Sequence, residues 1–126
     1  MGRAMESSDG RLVQTEVERV MSYKLFIDDE RFPVTDDWIV ARSSQEAVGV
    51  ITVYGFPMEI AFDHDLGGDD TSMRFINWLL DQILDENLAI PVGFKYSVHS
   101  QNPVGAKNIK DVMDGILYNF GPKQLT

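Results

Sequence analysis

The chain contains no cysteine, which excludes disulfides, thiolate metal centres and cysteine nucleophiles and suits a reducing compartment. It has no apolar run approaching the ~18 residues that a membrane-spanning helix needs. A basic start followed by an apolar block is also missing, so no secretory leader is expected and the expected location is the cytoplasm. Positive charge is scarce: 11 Lys and Arg stand against 20 Asp and Glu, a formal net charge of −9. Such an excess does not steer bare nucleic acid, so binding of bulk duplex is not expected, whereas a local site for a nucleotide or an RNA end stays open. Histidine is scarcer still, with 2 in the chain. The 126 residues suffice for one domain with its own core and not for two.

Residues 1–20 are polar and lack a core-forming period. They are expected to be an extension, either flexible or artificially appended, with Met21 as the natural start and a short amphipathic helix over 13–20 as the alternative. Residues 21–126 then form a single domain. Lys24-Leu25-Phe26-Ile27 is a short apolar run closed by acids, as in a buried strand. Pro33 and its polar neighbours make 30–37 a loop. Trp38–Ala41 is a second strand. Ser43 and Glu46 have capping-box spacing and open a helix that runs to about Tyr54, with Gly55 as its stop. Glu59–Phe62 is a third strand, residues 72–86 a helix with one apolar face, and residues 92–98 a fourth strand. Asn102 and Pro103 suit the start of a last helix, ending at Gly121-Pro122. Phe75, Trp78 and Phe120 fall at helical core spacing.

Apolar strands alternating with amphipathic helices predict an α/β fold with a four-stranded parallel sheet, helices on both faces and strand order 2-1-3-4. The link between the first two strands is too short for an ordinary crossover helix, so a single helical turn or an extended crossover must serve. Sheets of this kind bind ligands beyond the carboxyl ends of their strands. Three strands end there in polar clusters: Asp28-Asp29-Glu30-Arg31, Asp63-His64-Asp65 and His99-Ser100-Gln101-Asn102. Both histidines of the chain lie in them, and histidine titrates near neutral pH, which makes His64 and His99 candidates for acid–base work with Asp63 and Asp65 beside them. As solvated strand ends, Asp28 and Asp29 would need no partner; partly buried, they need Mg²⁺, Arg31 or a lysine. Gly67-Gly68 is either a plain turn or a place where backbone N–H groups meet an anion. Asn102 to Gly105 is a capped helix start whose positive dipole end points at the same edge.

Three motifs carry a family resemblance. Ile27-Asp28-Asp29-Glu30-Arg31-x-Pro33, Phe62-Asp63-His64-Asp65-Leu66-Gly67 and Val98-His99-Ser100-x-Asn102-Pro103-x-Gly105-x-x-Asn108-Ile109 resemble the cyclic-phosphate-processing receiver-like domains of bacteria and phages, over about residues 23–120. The resemblance implies a shortened receiver (flavodoxin-like) three-layer sandwich. Against ordinary receivers, Asp28 and Asp29 match the acidic metal pair, Asp63 the phospho-acceptor and Ser100 the neighbourhood of the switch hydroxyl. The fifth strand and Lys-Pro motif of those receivers have no match, and His64 and His99 are foreign to their pattern. The implied activity is hydrolysis of a cyclic phosphate, such as the 2′,3′-cyclic phosphate of a nucleotide or RNA end. Opening such a ring needs a base for water and an acid for the leaving oxygen, which His64 and His99 can supply. Arg31, Gly67, Gly68, Ser100, Asn102 and Gly105 are the candidates to hold phosphate. A metal-assisted variant places Mg²⁺ or Mn²⁺ on Asp28, Asp29 and Asp63. Two alternatives stay open: a degenerate receiver that binds a nucleotide or phosphorylated partner without turnover, and a phosphorelay receiver accepting phosphate on Asp63. The uncovered sheet edge left by the missing strand also invites pairing as a homodimer.

Overall fold

Four short strands, Lys24–Ile27 (β1), Trp38–Ala41 (β2), Glu59–Phe62 (β3) and Lys95–Val98 (β4), pair in parallel in the computed structural model, which describes residues 23–122. Their order is β2-β1-β3-β4, as the alternation of elements predicts. The expected extension 1–20 lies outside the described residues. Helices Ser44–Tyr54 (α1), Ser72–Leu84 (α2) and Pro103–Phe120 (α3) follow β2, β3 and β4.

Local chemistry accounts for the helix ends. The Ser43 side chain accepts the Glu46 N–H at the start of α1, while the Glu46 carboxylate reaches back to the Arg42 N–H at 2.7 Å. Gly55 closes α1 at φ +87°, a conformation that costs a side chain dearly. Asn102 accepts the Gly105 N–H, and Pro103 fills the first helical position of α3. The α2 helix stops at Leu84, two residues before the sequence pattern suggests, because Asp85 already caps it and Glu86 turns left-handed. The fourth strand also begins later than expected: Pro91 to Gly93 form a turn, with the Phe94 N–H donating to the Pro91 carbonyl.

Strand alternation sends Leu25, Ile27, Ile60 and Phe62 to one face, where they meet Ala47 and Ile51 of α1, Phe75, Ile76 and Leu79 of α2, and Ile109 and Met113 of α3. All three helices therefore share one core on one face. Phe75 is buried there and Trp78 packs against it, but Phe120 is an exception to its helical spacing: it sits 42 % exposed on the last turn of α3.

The opposite face carries Phe26, Trp38 and Ala61. Among the described residues its cover is the link 28–37, not a helix. Phe32, Pro33 and Val34 of that link line an open groove together with Phe26, Trp38 and Ala61. A helix is dispensable because the strands are short. Four residues rise ~13 Å, whereas the link can reach roughly 30 Å when extended. The link is fixed at its start by the Asp28 carboxylate, which accepts the N–H groups of Glu30 and Arg31, and at its end by a Lys24–Asp37 ion pair at 2.8 Å.

Candidate functional site

The four strands end in register. Ile27 pairs with Ala41 on one side and Phe62 on the other, and Phe62 pairs with Val98. The next residue of each strand therefore stands in one row along the carboxyl edge: Arg42, Asp28, Asp63, His99. Backbone hydrogen bonds continue into that row, from Asp28 N–H to Ala41, from Asp63 N–H to Ile27 and from His99 N–H to Phe62. Three of the polar clusters visible in the sequence are thus brought together by strand register alone.

Asp28 is fully buried and its carboxylate is saturated. One oxygen accepts the N–H groups of Glu30 (3.0 Å) and Arg31 (2.8 Å). The other meets Arg31 Nε at 3.1 Å and His99 Nε2 at 3.0 Å. Burial pushes this carboxyl up, but the two N–H groups and the charges of Arg31 and His99 outweigh it and hold Asp28 below the usual carboxylate range. Asp63 goes the other way: burial and the neighbouring Asp28 charge raise it, and Arg31, 3.4 Å away, offsets only part. One arginine thus spans two carboxylates whose proton affinities are driven apart, the usual sign of divided acid–base roles.

Arg31 itself is held by a residue that sequence reading missed. Arg42 Nη1 donates to the carbonyls of Asp28 and Arg31, at 2.9 and 2.5 Å. Its place directly after β2, in register with the acids, is the signal that could have revealed it. A second missed residue is Asp70, which accepts the Ser44 N–H at 2.8 Å and the Ser44 hydroxyl, tying the glycine loop to the start of α1.

Before this row lies an open pocket of about 440 Å³ lined by Asp29, Arg31, Asp63, Gly67, Ser100 and Asn102, together with Glu30, Asp65, Gly68 and Gln101. Gly67 and Gly68 line it at φ +94° and +56°, within a turn closed by the Asp70 N–H on the Gly67 carbonyl. Gly105 is not part of the wall. Its N–H is taken by Asn102, and its bare Cα is the seat of His64: a Cβ there would come within 2.3 Å of the imidazole.

Each histidine is held by a carboxylate. His64 Nδ1 lies 3.0 Å from Asp65, whose other oxygen accepts from the Asn102 amide at 3.3 Å. These two contacts hold the Asp65 carboxyl below its usual range. His99 stacks flat on Phe26, with centroids 4.7 Å apart, and points Nε2 at Asp28. Neither ring lines the acidic pocket. His99 instead lines an apolar groove on the side of the sheet opposite α1, α2 and α3.

Asp28, Asp29 and Asp63 each offer one carboxylate oxygen within 4.8 Å of the others. All-oxygen donors of this charge fit Mg²⁺ or Mn²⁺. Because Asp28 is saturated, it would have to release Arg31 or His99 to join, so Asp29 and Asp63 are the readier ligands.

A four-stranded parallel sheet of order 2-1-3-4, with buried acids in register at its carboxyl edge, defines a shortened receiver-like domain. The chain belongs to the family described as cyclic-phosphate processing receiver domain, whose model matches residues 23–115. No curated protein and no solved structure matches it. Among the described residues no helix is long and apolar enough to cross a membrane.

Proposed function

We propose that the chain hydrolyses a cyclic phosphodiester, such as the 2′,3′-cyclic phosphate of a nucleotide or RNA end, in the pocket at the carboxyl edge of the sheet. The observation that carries this reading is the pocket itself: one arginine, two glycines at positive φ and the Ser100 and Asn102 side chains set among acids, in a member of this family. Its charge favours a cyclic diester. That substrate carries one negative charge, whereas the monoester product carries up to two near neutral pH. A wall with Asp29, Asp63 and Asp65 repels the product more than the substrate, and release follows.

In the reaction, water adds to phosphorus, one ring P–O bond breaks, and the departing oxygen takes a proton. Arg31 and the Gly67–Gly68 backbone hold the phosphoryl oxygens and stabilise the charge that builds on them. His64 and His99, whose rings stand outside the pocket wall, are the proposed acid–base pair, oriented by Asp65 and Asp28 and reaching the substrate through water: the second ring nitrogen of one takes the proton of the attacking water, and that of the other carries the proton given to the departing oxygen. Asp63, in the pocket wall with a raised carboxyl pKa, is the third proton-handling group. A divalent cation on Asp29 and Asp63, joined by Asp28, would supply further charge neutralisation.

The test is incubation of the full chain with 2′,3′-cyclic nucleotides and with an RNA ending in a cyclic phosphate, in Mg²⁺ and in chelator, with product followed by mass. Addition of water that is lost in both His64→Ala and His99→Ala is the expected result. Full turnover in both variants would remove the histidines from the mechanism. Tight binding without product would make the chain a non-catalytic nucleotide-binding module.

A further inference from the structure

The face of the sheet that carries no helix among the described residues holds a second concavity that the hydrolytic reading does not use. Strand alternation puts Phe26, Trp38 and Ala61 on this face, and Phe32, Pro33 and Val34 of the 28–37 link line the same concavity. Together they form an open groove of about 370 Å³, within the size range of small-molecule sites. Among the described residues Phe32 is 77 % exposed and Val34 wholly exposed, and exposed apolar clusters beside a groove mark ligand or partner sites. Its rings are held in place. The Arg42 guanidinium lies 4.5 Å above Phe32, Lys24 lies 5.0 Å above Trp38, and Phe26 is wedged between the edge of Trp38 and the flat of His99. Most telling is Arg31, which lines both this groove and the acidic pocket. His99 stands at the same junction, with its ring in the groove and Nε2 on Asp28.

We infer that this groove is a base-binding subsite: the nucleobase of a cyclic nucleotide stacks against Phe32 and Trp38 while its phosphate lies across Arg31 in the acidic pocket. This assignment rests on the proposed function for the phosphate half, and it narrows the substrate from cyclic phosphates in general to nucleotides. Aromatic stacking suits any base, since each presents a π face, so the subsite selects for a base and discriminates weakly among bases.

The experiment uses the full chain with Trp78→Phe, which leaves Trp38 as the one tryptophan. Trp38 fluorescence is titrated with adenosine, with 2′,3′-cyclic AMP and with glycerol 1,2-cyclic phosphate, which has no base. Adenosine alone is expected to quench Trp38, and cyclic AMP to bind at least tenfold more tightly than the base-free ester. Phe32→Ala should weaken cyclic AMP about tenfold, at the low end of a base–aromatic stack, with Phe32→Tyr restoring it. Equal affinity for cyclic AMP and the base-free ester, or no response of Trp38 to adenosine, overturns the subsite even if both esters are hydrolysed. Quenching by adenosine that depends on Phe32, with neither ester turned over, keeps the subsite and removes the hydrolytic reading. A Trp38 signal that follows protein concentration and ignores adenosine assigns the face to a second copy and overturns the proposal.

Discussion

Replacing Asp28 by Asn tests the organisation of the site most directly. The amide keeps one oxygen, so the N–H groups of Glu30 and Arg31 retain their acceptor. The other position becomes an NH₂ group facing Arg31 Nε and His99 Nε2, and both contacts are lost as charge-assisted bonds. Charged hydrogen bonds of this kind contribute about 1.5–3 kcal/mol each when buried. The Arg31 side chain is 46 % exposed, so its share is discounted to under ~1 kcal/mol. The sum is a loss of about 2 kcal/mol, or a fall in melting midpoint of roughly 10 °C for a domain of this size. Urea unfolding of wild type and variant at pH 7 in chelator measures it. Because Asp28 is held below its ordinary pKa, its contribution is complete above about pH 4 and disappears as pH falls through the depressed value. The difference between the two proteins should therefore shrink in acid. An unchanged or raised midpoint at pH 7 would refute the reasoning, since it would mean that the cost of burying the charge exceeds what its four partners return.

Asp63 should behave in the opposite sense. Its carboxyl is raised, so the neutral form is favoured in the folded state and stability is lost as pH rises through the folded pKa; Asp63→Asn in chelator should be more stable than wild type at pH 7 and equal to it in acid, by the same urea assay. Gly105→Ala should displace the His64 imidazole, since a methyl group would overlap its ring, and turnover should fall at least tenfold, nearly as far as in His64→Ala, while far-UV circular dichroism of α3 is preserved or improved. Asn102→Ala removes the cap of α3 and a partner of Asp65, so thermal unfolding should register about 1 kcal/mol, with a rise in the Asp65 carboxyl pKa by NMR.

Much of the fold is legible in local pattern. Short apolar runs at β1, β2 and β3, capping signals at Ser43 and Asn102, and glycines after α1 and α3 mark most of the elements. Positions where reading and structure part are those where local pattern under-determines geometry. Phe120 keeps the helical period yet stands on the last turn of α3, 42 % exposed among the described residues. Residues 92–94 are apolar but belong to a turn, because Gly93 takes φ +87° and Met58, the last residue before β3, already pairs with Lys95. The third layer is the 28–37 link, because four-residue strands leave little distance to cross.

For the site, the sequence by itself determined which groups reach the carboxyl edge: a strand ending in Asp28, another in Asp63 and another in His99 must place them there once the strands run parallel. Only the tertiary structure decided their partners. His99 meets Asp28 across 71 residues of sequence, and Arg31 spans two acids, because register and burial bring together groups that no spacing rule relates. The same holds for Gly105, read in sequence as a phosphate contact but placed against His64, and for Arg42, whose part depends on carbonyls contributed by another strand's end. Periodicity is a property of one element; the choice of which carboxylate a histidine takes is made where several elements converge and exclude water.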